Sequence, residues 1–333
     1  MLPLLTTDWH LDDSPENEYR WQIIERVLHA VIQYKVGAIF VLGDIVDRKD
    51  RHSGVLVNRL VEELGKLAAR APVIILRGNH DTPLRGPAFW EFLSRIRNIE
   101  YVTHPTPFNL FNQSKPDLLL LPFTATPKET WRGIKFTDYR SMFMHATVTG
   151  AVVENGMVME NSKFPILPRS VKVYSGDAHT QQTVGGVTYV GAPHPVKFGD
   201  RFNCRMLLLD EKFGIAMELP LQGMHKFLLT VNDVNELAQY NVQPGDQVKI
   251  RFLCPQGDVT TWGLIDIAIK NWAEERGAIV AGTEVILDGL YDKARAADPG
   301  QSPEQILREF ANQEGMADDL LTVGLSLLKE TAP

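Results

Sequence analysis

Apolar residues fall in short unbroken runs that stop at a glycine or a polar cluster. Leu2 to Thr7, Ala38 to Leu42, Val73 to Leu76, Leu118 to Leu121, Met142 to His145 and Val171 to Ser175 each read as a strand. Runs with no polar alternation belong to strands buried on both faces. Between the first three lie segments of helical periodicity. Glu16 to Lys35 places Trp21, Ile24, Val27, Leu28, Val31 and Ile32 on one face, and Val55 to Arg70 is a second helix. A third helix is expected over Pro87 to Ile96. Strand alternating with helix predicts a mainly parallel sheet.

From residue 99 the pattern turns to short strands between turn residues. Residues 146–170 read as a long loop, Val184 to Val190 as one strand, and Cys204 to Asp210 with Ile215 to Leu219 as a hairpin. After Gln222 the pattern changes again. Strands at Lys226 to Val231, Gln247 to Phe252 and Ile279 to Leu287, with a helix at Thr261 to Arg276, predict a small α+β unit. Residues 296–303 read as a linker, and two short amphipathic helices are expected at 304–313 and 317–330. The chain thus divides into three regions: 1–222, 223–295 and 296–333.

Composition narrows the class. The 333 residues are 44% hydrophobic and 23% charged, as in ordinary globular proteins, and no apolar run is long enough to span a membrane. Cys204 and Cys254 lie far apart and form no metal motif, which with the absence of a secretory pattern at the start predicts a reducing cytoplasm. The net charge of −7 does not mark a nucleic-acid binder. It is uneven, however: residues 223–333 carry 9 Lys and Arg against 17 Asp and Glu, leaving residues 1–222 at +1.

The chemistry lies just past the strand ends. Asp8 and His10 come after the first strand, Asp44 and Asp47 after the second, and Asn79, His80 and Asp81 after the third. His145 ends a fourth run, and Asp177 and His179 come after a fifth. In α/β proteins the carboxyl edge of a sheet is where sites are built. Alone, Asp-x-His arises by chance and a strand-end histidine is usually structural. Together, Asp8, His10, Asp44, Asn79, His145, Asp177 and His179 form a set of oxygen and imidazole donors suited to Mn²⁺, Fe²⁺ or Zn²⁺. The set exceeds what one ion needs and suits two ions sharing a carboxylate, with Asp44 the expected bridge. His80 is the expected proton donor, Asp47 its catalytic companion, and Asp81 a group that orients the imidazole or its loop. Arg48 and His52, in a basic loop beside the site, and Arg77 are candidates for contacting substrate.

The order Asp-x-His, Gly-Asp-x-x-Asp, Gly-Asn-His-Asp, strand-end His and Gly-x-x-His, over residues 5–200, resembles the calcineurin-like metallophosphoesterases. A narrower resemblance is to the SbcD-type nuclease subunits of bacterial and phage Mre–Rad complexes. It rests on Asp8-Trp9-His10-Leu11, Gly43-Asp44-Ile45-Val46-Asp47, and Tyr189 to Pro193 with Phe198-Gly199-Asp200 shortly after. That family implies a β-sandwich flanked by helices, a small α+β DNA-capping domain and C-terminal helices that bind an SbcC/Rad-type ATPase. It also implies a homodimer with two metals, Mn²⁺ before Mg²⁺, and 3′–5′ exonuclease and endonuclease activity in DNA repair, recombination or replication. By its pattern Asp8, His10, Asp44 and His179 hold one ion, and Asp44, Asn79, His145 and residue 177 the other. The family usually has histidine at the position of Asp177. A small-molecule phosphodiesterase or phosphatase on the same sheet is the alternative.

Overall fold

Apolar strands with no alternation must be covered on both faces, and the fold shows how. The computed structural model describes residues 2–83, 88–111, 114–153, 156–165, 167–200, 202–254 and 262–287, with scattered positions from 304 to 325. The expected linker and most of the two C-terminal helices lie outside the described residues. By internal contacts the chain divides into two units. The first is Met1–Leu228 with Gln243–Val248 and Gly277–Ile279, and the second takes the remainder.

The first unit holds two six-stranded mixed sheets. Strands β1 (Leu2–Thr6), β2 (Val36–Val41), β3 (Val73–Leu76) and β4 (Ile99–Val102) run parallel to one another. The second sheet contains β5 (Thr106–Phe108), β6 (Leu118–Leu121), β7 (Ser141–His145), β8 (Lys172–Gly176), β9 (Gln182–Val184) and β10 (Val187–Tyr189). Its order is β5-β6-β7-β8-β10-β9, parallel at the centre and antiparallel at both edges. Antiparallel strands β11 (Arg205–Leu209) and β12 (Ile215–Pro220) complete the first sheet as β12-β11-β1-β2-β3-β4.

Successive residues of each strand point to opposite faces, and the cores obey that rule. Leu4, Ile39, Val41 and Ile75 pack under helices α1 (Gln22–Tyr34) and α2 (Gly54–Ala68). Their neighbours Leu5, Phe40, Leu42 and Ile74 meet Leu118, Leu120, Phe143 and Tyr174 of the other sheet. Leu119, Leu121, Met142 and Met144 turn outward beneath Trp131, Phe164 and Leu167. Part of that cover is the short helix α3 (Pro127–Thr130) and the long loop after β7. The architecture is a mixed α/β sandwich of two sheets flanked by helices.

Three expectations are corrected. The segment expected to begin a helix at Glu16 is a 3₁₀ turn, Pro15–Trp21, and α1 begins only at Gln22. Its tighter winding buries Arg20, which turns inward to main-chain carbonyls. The third helix is likewise a 3₁₀ turn, Phe89–Arg95, with Trp90 and Leu93 buried. Val184 to Val190 is a hairpin rather than one strand. Gly185 and Gly186 take φ of 60° and 86°, the left-handed pair that a two-residue turn requires.

The second unit contains most of a three-stranded sheet, ordered β13 (Lys226–Val231), β14 (Gln247–Cys254) and β15 (Ile279–Leu287). Helix α4 (Trp262–Glu274) buries Ile269, Trp272 and Ala273. A 3₁₀ turn, Val234–Gln239, is capped by Asp233, whose carboxylate accepts from the Asn235 N–H at 2.8 Å. Among the described residues no helix is long and apolar enough to cross a membrane.

Candidate metal centre

The loops after β1 and β2 lie side by side. Asp8 N donates to Gly43 O, His10 N to Asp44 O and Leu11 N to Ile45 O, each at 3.0 Å. The loop after β3 is tied in by Asp81. Its buried carboxylate accepts from Gly78 N and Asp44 N at 2.8 Å and from Ile45 N at 3.1 Å. Burial, with the Asp44 charge nearby, pushes the Asp81 pKa up to about 7. Three side chains on these loops project from left-handed backbone: Asp8 at φ 52°, His10 at 45° and Asp44 at 53°. Few non-glycine residues adopt that region, and they cluster at functional sites.

The second sheet supplies the rest. His145, at the end of β7, donates from Nδ1 to Leu42 O at 2.6 Å. Nε2 faces Asn79 Oδ1 at 2.9 Å, Asp44 Oδ1 at 3.4 Å and Asp177 Oδ1 at 3.6 Å. Asp177, at φ 77°, accepts from the Thr147 hydroxyl through its other oxygen. His179 Nε2 lies 3.1 Å from His10 Nε2, and His10 Nε2 lies 3.7 Å from Asp44 Oδ2. Burial, reinforced by the His10 ring, pushes the His179 pKa down to about 3, so its imidazole is neutral. Asp44 thus stands between two donor groups with one oxygen toward each.

These residues fit a cation. Ligand atoms of Asp8, His10 and His179, of His10, Asp44 and His80, and of Asp8, Asp44 and His145 each lie within 4.8 Å of one another. Asp8 Oδ2 is buried with no hydrogen-bond partner. As placed, the Asn79 side-chain oxygen faces only acceptors, an orientation that a cation satisfies and that otherwise calls for the amide to turn. Burial pushes the Asp8 pKa well up, with Asp44 and Asp177 adding to it. Burial opposes charge on His145, yet Asp44, Asp177 and Asp8 together hold its pKa well above the ordinary value. The carboxylates therefore demand positive charge at this point, which a proton or a metal can supply.

The family model described as calcineurin-like phosphoesterase matches residues 1–187. The chain belongs to that family. The matched residues include all seven expected ligands. Membership makes the protein a metal-dependent phosphoester hydrolase, and its Asp/His cluster could hold the divalent ions that such enzymes bind. Among solved structures it is similar to the phosphoesterase Yfce from E. coli, at 18% identity and a TM-score of 0.35, covering 67% of this chain and 100% of that one. It is also similar to the Pseudomonas putida nuclease MPE, at 16% identity and a TM-score of 0.33, covering 66% and 87%. No curated protein matches the sequence.

Not every expected residue of the phosphoesterase reaches the cluster. His80 does: its N–H donates to Asp44 Oδ1 at 2.8 Å, its ring stands edge-on to His10 at 4.7 Å, and Nδ1 donates to Asp47 O at 2.5 Å. The Asp47 carboxylate lies behind the ligands, 3.3 Å from His10 Nδ1. Arg48 is exposed and belongs to none of these ligand groups. Arg77 donates to Phe123 O at 2.9 Å, and the Phe123 ring stands 6.4 Å from that of His145. His52 packs on Phe89 and Trp90 at 4.7 and 4.8 Å. Sequence reasoning passed over Arg20, Thr147 and His194. Arg20 donates to the carbonyl of His10, and His194 donates to that of Trp9. Main-chain partners leave no mark in a sequence.

Proposed function

We propose that this phosphoesterase is a two-metal DNA nuclease of the SbcD type, with Asp8, His10, Asp44 and His179 holding one ion and Asp44, Asn79, His145 and Asp177 the other. The observation that carries the reading is Asp44, whose two oxygens face two separate donor groups. Ions at these donors would neutralise phosphoryl oxygens and acidify an attacking water. The protein's own work is to hold and deliver a proton. With Nδ1 fixed on the Asp47 carbonyl, His80 presents Nε2, and the imidazolium gives its Nε2 proton to the departing oxygen. A macromolecular substrate accounts for the second unit and for the long loop after β7, neither of which a small ester requires. The SbcD resemblance extends the proposal to a homodimer bound to an SbcC/Rad-type ATPase.

The test pairs end-labelled linear duplex DNA with closed circular DNA and a small chromogenic phosphodiester, all in Mn²⁺. Nucleotide release from linear DNA is expected, and His80→Ala should lower it by about 10²–10⁴-fold. Turnover of the small ester alone would overturn the DNA reading.

Asp177 makes the second donor set richer in oxygen than the first, with one imidazole instead of two. Hard oxygen donors favour Mn²⁺ and Mg²⁺. Asp177→His is therefore expected to raise the ratio of Zn²⁺ to Mn²⁺ retained after dialysis against equal concentrations. An unchanged ratio would count against this role.

A further inference from the structure

Arg20 is 3% exposed, although its place in a polar, helix-like segment reads as solvent-facing. Its guanidinium Nη1 donates to the main-chain carbonyl of His10 at 2.5 Å and lies 3.3 Å from Asp47 Oδ1 and 3.6 Å from Asp12 Oδ2. Nη2 donates to Val196 O at 3.3 Å, and Nε lies 3.4 Å from the Tyr19 hydroxyl, which donates to Pro195 O. The same Asp47 oxygen lies 3.3 Å from His10 Nδ1. Arg20 thus bears on His10 at both ends: it bonds the carbonyl directly, and it pairs with the Asp47 carboxylate that stands beside the ring.

Both holds matter for an imidazole that binds a metal. At φ 45° the His10 backbone sits where a non-glycine residue stays only if its surroundings keep it there. A carboxylate 3.3 Å from Nδ1 favours by its charge the tautomer with the proton on Nδ1 and the lone pair on Nε2, and Nε2 is the atom beside His179 and Asp44. The planar fork of Arg20 reaches carbonyl and carboxylate together, which a single ammonium cannot do as well. His194 grips the preceding carbonyl, that of Trp9, at 2.8 Å. Two consecutive carbonyls on the ligand loop are therefore fixed from the 15–21 turn and the 193–198 loop.

We infer that Arg20 is a positioning residue for one metal site, setting the backbone and the tautomer of His10 while leaving the His145 site untouched. This rests on the two-ion reading above. A residue that only packed the turn against the loop would, when lost, weaken the whole cluster or the whole fold.

The experiment titrates full-length protein with Mn²⁺ and reads free Mn²⁺ by electron paramagnetic resonance, with thermal midpoints in chelator alongside. Wild type should bind two equivalents. Arg20→Lys should weaken one of them by about 10–100-fold, the usual effect of losing a group that orients a ligand, and spare the other. Arg20→Ala should do the same, and millimolar guanidinium should restore the weakened equivalent. Equal weakening of both equivalents, unchanged affinities, or failure of rescue in a variant that still melts cooperatively would overturn the assignment. If Arg20→Ala does not fold, the lysine variant decides it. A wild type that binds one ion overturns the two-ion reading instead, and Arg20 then stands or falls on whether Arg20→Lys weakens that ion.

Discussion

Asp44→Asn is expected to abolish phosphoester hydrolysis, by about 10³-fold or more, while leaving the metal-free protein folded but less stable than wild type. The substitution keeps the shape of the side chain and an oxygen for the His80 N–H, which Asp44 Oδ1 accepts at 2.8 Å. It removes the charge that faces His10 on one side and His145 on the other. In the two-ion reading that weakens both sites at once. Each ion is worth several kcal/mol of transition-state stabilisation, and about 1.4 kcal/mol is a factor of ten in rate. The metal-free fold should lose stability as well, because the charged carboxylate is net favourable there. Burial works against its charge, and His145, His10 and His80 hold its pKa low. Without that charge His145 loses its largest attractive partner, and only Asp177 and Asp8 remain to favour its charged form. The assay is turnover of a chromogenic phosphodiester in Mn²⁺, with unfolding monitored in chelator. Activity within tenfold of wild type would show that Asp44 is not the shared ligand.

Gly43→Ala should cost both stability and metal binding. Gly43 takes φ of 100°, where any side chain is strained. A Cβ there would lie 2.2 Å from His145 Nδ1, 2.6 Å from its Cγ and 2.9 Å from Gly78 Cα. The first of these atoms cannot move freely, because it is hydrogen-bonded to Leu42 O. The ring must tilt off its carbonyl, which misaims Nε2, or the loop after β2 must leave the loop after β3. Backbone strain and overpacking each cost about 1–3 kcal/mol, so a loss of about 3–4 kcal/mol is expected in urea unfolding with chelator present. A variant as stable as wild type would mean that the two loops do not approach as described.

The strands and their ends were legible because two local signals coincide at each. An apolar run marks a strand buried on both faces, and the glycine or polar cluster after it marks the sheet edge. Leu118 to Leu121 shows why the run needs no alternation: its residues divide between the inter-sheet core and the outer cover. The failures have physical causes. Arg20 and His194 work on main-chain carbonyls, which every residue has, so nothing in the sequence announces the pairing. His52 reads as part of a basic loop, and the sequence does not show that its ring also packs on Phe89 and Trp90. At 184–190 apolar and β-branched residues on both sides hide a turn that Gly185 and Gly186 in fact specify. In the first helix, period alone cannot separate an α-helical start from the 3₁₀ turn that precedes it.

The cluster draws Asp8, His10, Asp44 and Asn79 from one sheet and His145, Asp177 and His179 from the other. The chain completes the central parallel strands of the first sheet before it begins the second. During synthesis, then, a ribosome releases the first four donors long before the last three. Until residue 179 has emerged and the second sheet has closed over the first, the nascent polypeptide carries only half a centre. A translation product that stops short of residue 145 therefore lacks all three donors that the second sheet supplies.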